Sequence, residues 1–206
     1  MQRLDKYLSE AGAATRKTCR GLLKAGRIAV NGVVASAPEQ KIDERQDQIT
    51  LDGVLVEGFK TVTLLLYKPV GYITATEDPK EPTVMQLLDE RYRRLRVVPV
   101  GRLDKQTEGL LLFTNDGALN HKIASPRHGT QKVYYAEHAG QASAEDVAAF
   151  AAGLQLKDGT VCRPAVLRPL GEGKSEITVC EGKYHQVRRM MAARGLTVCY
   201  LRREQE

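Results

Sequence analysis

The sequence predicts an α+β protein in two parts, a small α/β module followed by a larger domain whose mostly antiparallel sheet is flanked by helices. Three observations carry this. Residues 1–56 hold two amphipathic helix patterns and two glycine hairpin turns. Beyond them short apolar runs alternate with modest helices, and hairpin turns outnumber long crossovers. The 206 residues, 42% hydrophobic and 27% charged, have the composition of an ordinary globular chain.

The elements follow in order. Leu4, Tyr7, Leu8 and Ala11 fall at i, i+3, i+4 and i+7, one face of a helix. A second helix starts at Thr15 or Thr18, buries Leu22 and Leu23, and stops at Gly26. RIAVNGVVAS turns on Asn31-Gly32 and QITLDGVLVEG on Asp52-Gly53, the dipeptides that favour a type I′ hairpin. The module is placed at 1–57, a linker at 58–61 and the larger domain at 62–206. In that domain residues 62–67 read as a buried strand, Lys68 to Gly71 as a turn, and 83–88 as a short helix after Pro82. Residues 109–113 form an apolar strand, 118–124 a short helix and 132–136 another strand. Ser143 and Asp146 open a helix that ends at Gly153. Residues 154–156 and 161–166 are expected to pair across Asp158-Gly159. Residues 175–180 form a strand, 184–193 a helix stopped by Gly195, and 197–201 the last strand.

The net charge of +6 is unevenly placed. Residues 1–30 carry seven basic side chains (Arg3, Lys6, Arg16, Lys17, Arg20, Lys24, Arg27) against Asp5 and Glu10. Residues 183–203 carry six (Lys183, Arg188, Arg189, Arg194, Arg202, Arg203) and no acid. Two such segments fit a polyanion held at two places, nucleic acid above all; they also fit helices with solvated cations. No apolar run approaches the roughly 20 residues of a membrane span. The N-terminus lacks the apolar core of a secretory signal, so a cytoplasmic protein is expected. The four cysteines and four histidines show no metal-ligand spacing, and no metal is expected. Gly173-Lys174-Ser175 matches only the end of a phosphate-binding loop, because Arg168 stands where its first glycine is required.

GRLDKQTEGLLLF is the stretch with most chemistry. Asp104 has two readings, a turn carboxylate or a reactive group. Arg102 offers a rigid five-donor fork, Thr107 and Gly109 suggest a tight hydrogen-bonded loop, and the apolar run anchors that loop in the core. In KVYYAEH, Lys132 and Tyr134 share one face of a strand, so Tyr134 is either a stacking surface for a base or ordinary core. In EGKYHQVRRMM, Val187 and Met191 face the core, while Arg188 and Arg189 lie in the first turns of a helix.

At these residues the chain resembles the pseudouridine synthases. GRLDKQTEGLLLFTNDG is similar to their catalytic motif, LLLYKPVGYITATEDP to the motif before it, and ASPRHGTQKVYY and EGKYHQVRRMMAARG to the two after it. Residues 1–56 resemble the S-four-like RNA-binding module that the ribosomal-RNA branch carries. The resemblance spans nearly the whole chain, and SPRH with YHQVRRM points to the small-subunit rRNA enzymes of that branch. It implies that a uridine in ribosomal RNA, naked or in a partly assembled small-subunit particle, is flipped out, cleaved from its ribose and rejoined through uracil carbon five. No cofactor or metal is implied, and a monomer is the default. Asp104 would be the catalytic carboxylate, attacking the anomeric carbon or assisting proton removal from the sugar. Tyr134 would stack on the uracil and Arg188 would pair with Asp104. Arg102 would support the flipped state or contact RNA, with Lys132 and Arg189 as further contacts. Arg3, Arg16, Lys17, Arg20, Lys24 and Arg27 would dock on the rRNA. Relatives continue beyond YLRREQE with a glycine-containing strand segment, so a short C-terminal segment is expected. The rivals are a large-subunit synthase, a non-catalytic rRNA-binding or assembly factor, and a nuclease or glycosidase using Glu108 as second carboxylate.

Overall fold

The computed structural model describes residues 1–58 and 61–206; residues 59 and 60 of the expected 58–61 linker lie outside the described residues. The chain forms two compact units, Met1–Val62 with Glu90–Arg96, and Thr63–Asp89 with Val97–Glu206.

The first unit runs β1 (Gln2–Arg3), α1 (Leu4–Glu10), α2 (Arg16–Lys24), β2 (Ile28–Val30), β3 (Val33–Val34), β4 (Lys41–Ile42), β5 (Ile49–Leu51) and β6 (Val54–Leu55). Strand β1 pairs with β4, and the other four form a sheet in the order β3-β2-β5-β6. Asn31, Gly32, Asp52 and Gly53 all have positive φ, the backbone a type I′ turn needs and the reason these dipeptides stand there. Thr15, not Thr18, is the N-cap of α2: the two threonines form a reciprocal capping box. Leu4, Leu8, Cys19, Leu23, Ile28, Ile42 and Ile49 make the core, while Leu22 is only half-buried.

From residue 63 the order is β7 (Thr63–Lys68), a 3₁₀ turn (Val84–Leu87), α3 (Glu90–Arg94, grouped with the first unit), β8 (Val98–Pro99), β9 (Glu108–Thr114), α4 (Gly117–Ala124), β10 (Lys132–Ala139), α5 (Ala144–Ala152), β11 (Val166–Gly171), β12 (Lys174–Val179), α6 (Gln186–Ala193) and β13 (Thr197–Gln205). The sheet has the order β11-β12-β10-β13-β9-β7, with β8 on β9. Every pairing is antiparallel except β13 with β9, which is parallel. Leu111, Phe113, Phe150, Leu167, Ile177, Met190 and Met191 are sealed in the core, each contributing about 1.5–3 kcal/mol of burial.

Four expectations are corrected. Strand β7, at the sheet's edge, is not buried over residues 63–67, whose side chains alternate between exposed and half-buried; only Lys68 at its end is buried. The hairpin across Asp158-Gly159 is shorter than expected: the Leu156 amide donates to the Thr160 carbonyl (2.8 Å), the Cys162 amide to the Leu154 carbonyl (2.7 Å) and Gln155 bridges Val161, but Val166 opens a strand that pairs with β12 instead. Helix α6 begins at Gln186, two residues later than its apolar pattern suggests. The last strand runs on to Gln205, which brings Arg202 and Arg203 into the sheet.

Candidate active site

Asp104 sits half-buried in the loop between β8 and β9. Its backbone is fixed from below. The amide of Thr107 donates to the Asp104 carbonyl (3.0 Å), closing a turn. Thr74 Oγ1 accepts from the Leu103 amide (3.0 Å) and donates to the Leu103 carbonyl (2.7 Å), with both residues buried. Lys68, fully buried at the end of β7, donates to the carbonyls of Thr107 (2.8 Å), Pro69 (3.0 Å) and Asp104 (3.1 Å). Burial brings the Lys68 ammonium down to about 8, against the opposing charges of Asp104 and Glu108. The loop is tight, as expected, but its clasps are Lys68 and Thr74. The Thr107 hydroxyl is buried with no hydrogen-bond partner among the described residues.

Tyr134, Arg203 and Gly109 form a row across three strands. Tyr134 stands opposite Arg203 in the β10–β13 register, and Arg203 opposite Gly109 in the parallel β13–β9 register. Gly109 adopts φ +113, and a Cβ there would lie 2.1 Å from the Arg203 carbonyl oxygen, so only glycine lets these backbones meet. Arg203 is wholly buried: its Nε donates to the Leu110 carbonyl (2.8 Å) and its guanidinium lies 2.7 Å from Glu206. Burial raises the pKa of the Tyr134 hydroxyl, opposed by the charge of Arg203 and a hydrogen bond with it. Lys68, which donates to the Asp104 carbonyl, stands opposite Gly109 in the β7–β9 register, so the aspartate loop adjoins this row.

The His185 ring faces the Asp104 carboxylate, with Nε2 3.7 Å from Oδ1. His185 is the N-cap of α6 and adopts a left-handed backbone, φ 46 and ψ 35, which costs a non-glycine residue on the order of 1–3 kcal/mol. Its neighbours impose that shape. The Gln186 side chain accepts from the Lys183 amide (3.0 Å) and donates to Glu181 (2.7 Å), and Glu181 also accepts from the Arg163 amide (3.0 Å). Both clamping side chains are buried.

The other expected residues divide sharply. Arg188 does not pair with Asp104. Its guanidinium donates to the carbonyls of Gln106 (2.9 Å) and Val198 (3.1 Å), so its donors are spent tying the aspartate loop to the last strand. Lys132 does share a face with Tyr134, but it lies 3.7 Å from the buried Glu206 carboxylate, which compensates its charge. Arg189 is held by Asp158 and by the Tyr184 carbonyl. With Lys183 on Glu181, Arg194 on Asp146, Arg202 on Glu204 and Arg203 on Glu206, the second basic segment is compensated within the domain rather than open to a polyanion. Arg102 is exposed. In the first unit Arg3 pairs with Asp5 and Glu39, and Arg27 with Asp52. Arg16, Lys17, Arg20 and Lys24 are exposed along α2 and take part in none of the ion pairs among the described residues. Glu108 accepts from the hydroxyls of Tyr67 (2.7 Å) and Tyr200, which hold its pKa low. It points from β9 to the face opposite Gly109, so it is no partner for Asp104. Among the described residues no group of three His, Cys, Asp or Glu side chains is placed to hold a metal ion.

Residues 62–193 match the RNA pseudouridylate synthase family, and residues 2–49 match the S4 domain. The chain belongs to the RNA pseudouridylate synthase family. The RNA pseudouridine synthase YtzG of Bacillus subtilis is 37% identical over 98% of this chain and 86% of its own length. A ribosomal small subunit pseudouridine synthase A of Vibrio parahaemolyticus is 39% identical over 98% of this chain and 87% of its own. A ribosomal large subunit pseudouridine synthase B of Bacillus subtilis is 37% identical over all of this chain and 85% of its own. A crystal structure of a pseudouridylate synthase superposes with a TM-score of 0.66 at 31% identity, covering 98% of this chain and 87% of that one. As a pseudouridylate synthase the chain is an isomerase with an S4 domain at its N-terminal end and a mostly antiparallel catalytic sheet. Three residues that contact the Asp104–Tyr134 site were not singled out from the sequence: Lys68, His185 and Arg203. Lys68 reads as part of a turn, His185 as a first-turn helix residue, and Arg203 as one more surface cation.

Proposed function

We propose that this pseudouridylate synthase isomerises a uridine of ribosomal RNA, in the small subunit, with Asp104 as its catalytic carboxylate. The observation that carries this is the placing of Asp104: a half-exposed carboxylate on a loop clasped by buried Lys68 and Thr74, beside the buried tyrosine–arginine row. A uridine must leave its stack to be reached, at a cost of a few kcal/mol, and a shaped pocket with a ring surface offsets that cost. Tyr134 supplies the ring, and Arg203 fixes where it stands. Asp104 opens the reaction at the sugar, the N1–C1′ bond breaks, the uracil turns, and C5 bonds to C1′; C5 gives up its proton and N1 ends by taking one up. Substrate and product are isomers, so the atoms balance without a co-reactant. The S4 domain docks the RNA through the uncompensated stripe Arg16, Lys17, Arg20 and Lys24, a shape- and phosphate-based mode suited to folded RNA. The small-subunit assignment draws on relatives such as the Vibrio enzyme; the large-subunit relative of Bacillus subtilis is the specific reason to test the other subunit too. The domains are assigned as 1–57 and 62–206.

The test is Asp104→Asn. Binding of rRNA transcripts stays close to wild type while pseudouridine formation, mapped nucleotide by nucleotide in both subunits' RNA, disappears. Undiminished product from this variant refutes the assignment.

A further inference from the structure

We propose that Tyr184 and His185 form a stacking platform for a nucleobase of the substrate RNA, the neighbour of the uridine presented to Asp104. The inference rests on the reading of Asp104 given above, and it assigns a binding role to two side chains outside the tyrosine–arginine row. Their rings are nearly parallel, 14° apart, with centroids separated by 4.0 Å. The inner ring, His185, faces the Asp104 carboxylate at 3.7 Å. The outer ring, Tyr184, is 74% exposed, so its free face closes the stack toward solvent.

An aromatic side chain left this open gains little from its own fold, and its position is not left to chance. His185 holds a left-handed backbone that Gln186 and Glu181 impose from the buried side. Arg189 donates to the Tyr184 carbonyl (3.2 Å) and is itself anchored on Asp158. The rings are thus aimed by four side chains that take no part in the row around Tyr134. Bases in a strand follow one another at about 3.4 Å, close to the spacing already set by the two rings. A base laid on Tyr184 therefore continues a stack whose inner end stands at the reactive carboxylate. When the target uridine leaves the RNA stack, its neighbour loses a partner, and Tyr184 replaces it. Every base has a π-face, so the platform stabilises the flipped state without demanding a particular sequence.

The experiment uses the full chain. A short single-stranded RNA with one uridine beside a 2-aminopurine reports stacking as loss of fluorescence at saturation. A small-subunit rRNA transcript gives KM and kcat for pseudouridine formation. Tyr184→Ala is expected to abolish the quenching and to raise KM about tenfold or more, the range of one lost base–aromatic stack, with kcat changed less than about threefold. Tyr184→Phe keeps the ring and restores both readouts to wild type. The idea is overturned if Tyr184→Ala keeps the quenching and KM, or if Tyr184→Phe fails like the alanine variant. A wild-type protein that quenches through Tyr184 yet modifies no rRNA uridine would leave the platform standing and remove the activity assigned to Asp104.

Discussion

Gly109 and Arg203 approach so closely across the parallel pairing of β9 and β13 that a Cβ on Gly109 would stand 2.1 Å from the Arg203 carbonyl oxygen. Their contact seats the one fully buried arginine among the described residues beside Tyr134. Gly109→Ala must therefore open the seam as well as adopt φ +113. Strain at the φ alone costs on the order of 1–3 kcal/mol, and the clash adds to it. Urea unfolding should show a loss above about 3 kcal/mol, and pseudouridine formation should fall with it. An alanine variant of wild-type stability would mean that the two strands are not joined here.

Lys68 holds two carbonyls of the aspartate loop, those of Asp104 and Thr107, together with that of Pro69, with one ammonium. Lys68→Met fills the space and leaves those acceptors without a donor. The expected cost is about 3 kcal/mol, together with a fall in kcat although the side chain has no path to substrate. The sign with pH is also set. The folded group titrates at about 8, below its value of 10.5 when unperturbed. The unfolded chain therefore binds more protons between these values, and stability rises with pH across that window. The methionine variant should lack that rise, which denaturant melts at a series of pH values will show.

Arg16, Lys17, Arg20 and Lys24 form the uncompensated stripe of α2. Replacing all four with glutamine should weaken rRNA binding broadly and leave the melting temperature within a few degrees. Each lost phosphate contact removes about 0.7–0.9 from the slope of log affinity against log salt, so the slope should fall by roughly 3. Equal slopes for both proteins would move the RNA interface elsewhere.

Asp146 sits at the third position of α5, where its carboxylate accepts from the Ser143 amide (2.9 Å) and pairs with Arg194 (2.7 Å). The Ser143 amide, then Arg194, hold its pKa below the usual aspartate value. A lowered carboxylate contributes stability that is complete above its ordinary range and is lost as the pH falls through the lowered value. Asp146→Ala should cost about 1–2 kcal/mol at neutral pH, and the gap to wild type should close in acid. Thermal melts from neutral pH down to about pH 2 will test this.

The parts legible in the sequence were those set by neighbours in the chain. Asn31-Gly32 and Asp52-Gly53 need positive φ wherever they lie, Ser143 and Asp146 cap whatever helix follows, and Lys132 and Tyr134 share a face because strands repeat every two residues. The motif around Asp104 and the basic helix α2 likewise lie within short stretches, and they carried the family. What tertiary structure decided was which charge meets which. His185 rather than Arg188 faces Asp104: His185 takes a left-handed turn that no periodicity encodes, and Arg188 spends its donors on the carbonyls of Gln106 and Val198. Arg203 reaches Tyr134 only because β13 runs on to Gln205 and lies between β10 and β9. The second basic segment looked free because its acidic partners are scattered from Asp146 to Glu206. Such pairings depend on closing loops of many residues around a shared core, and the order of the strands settles them.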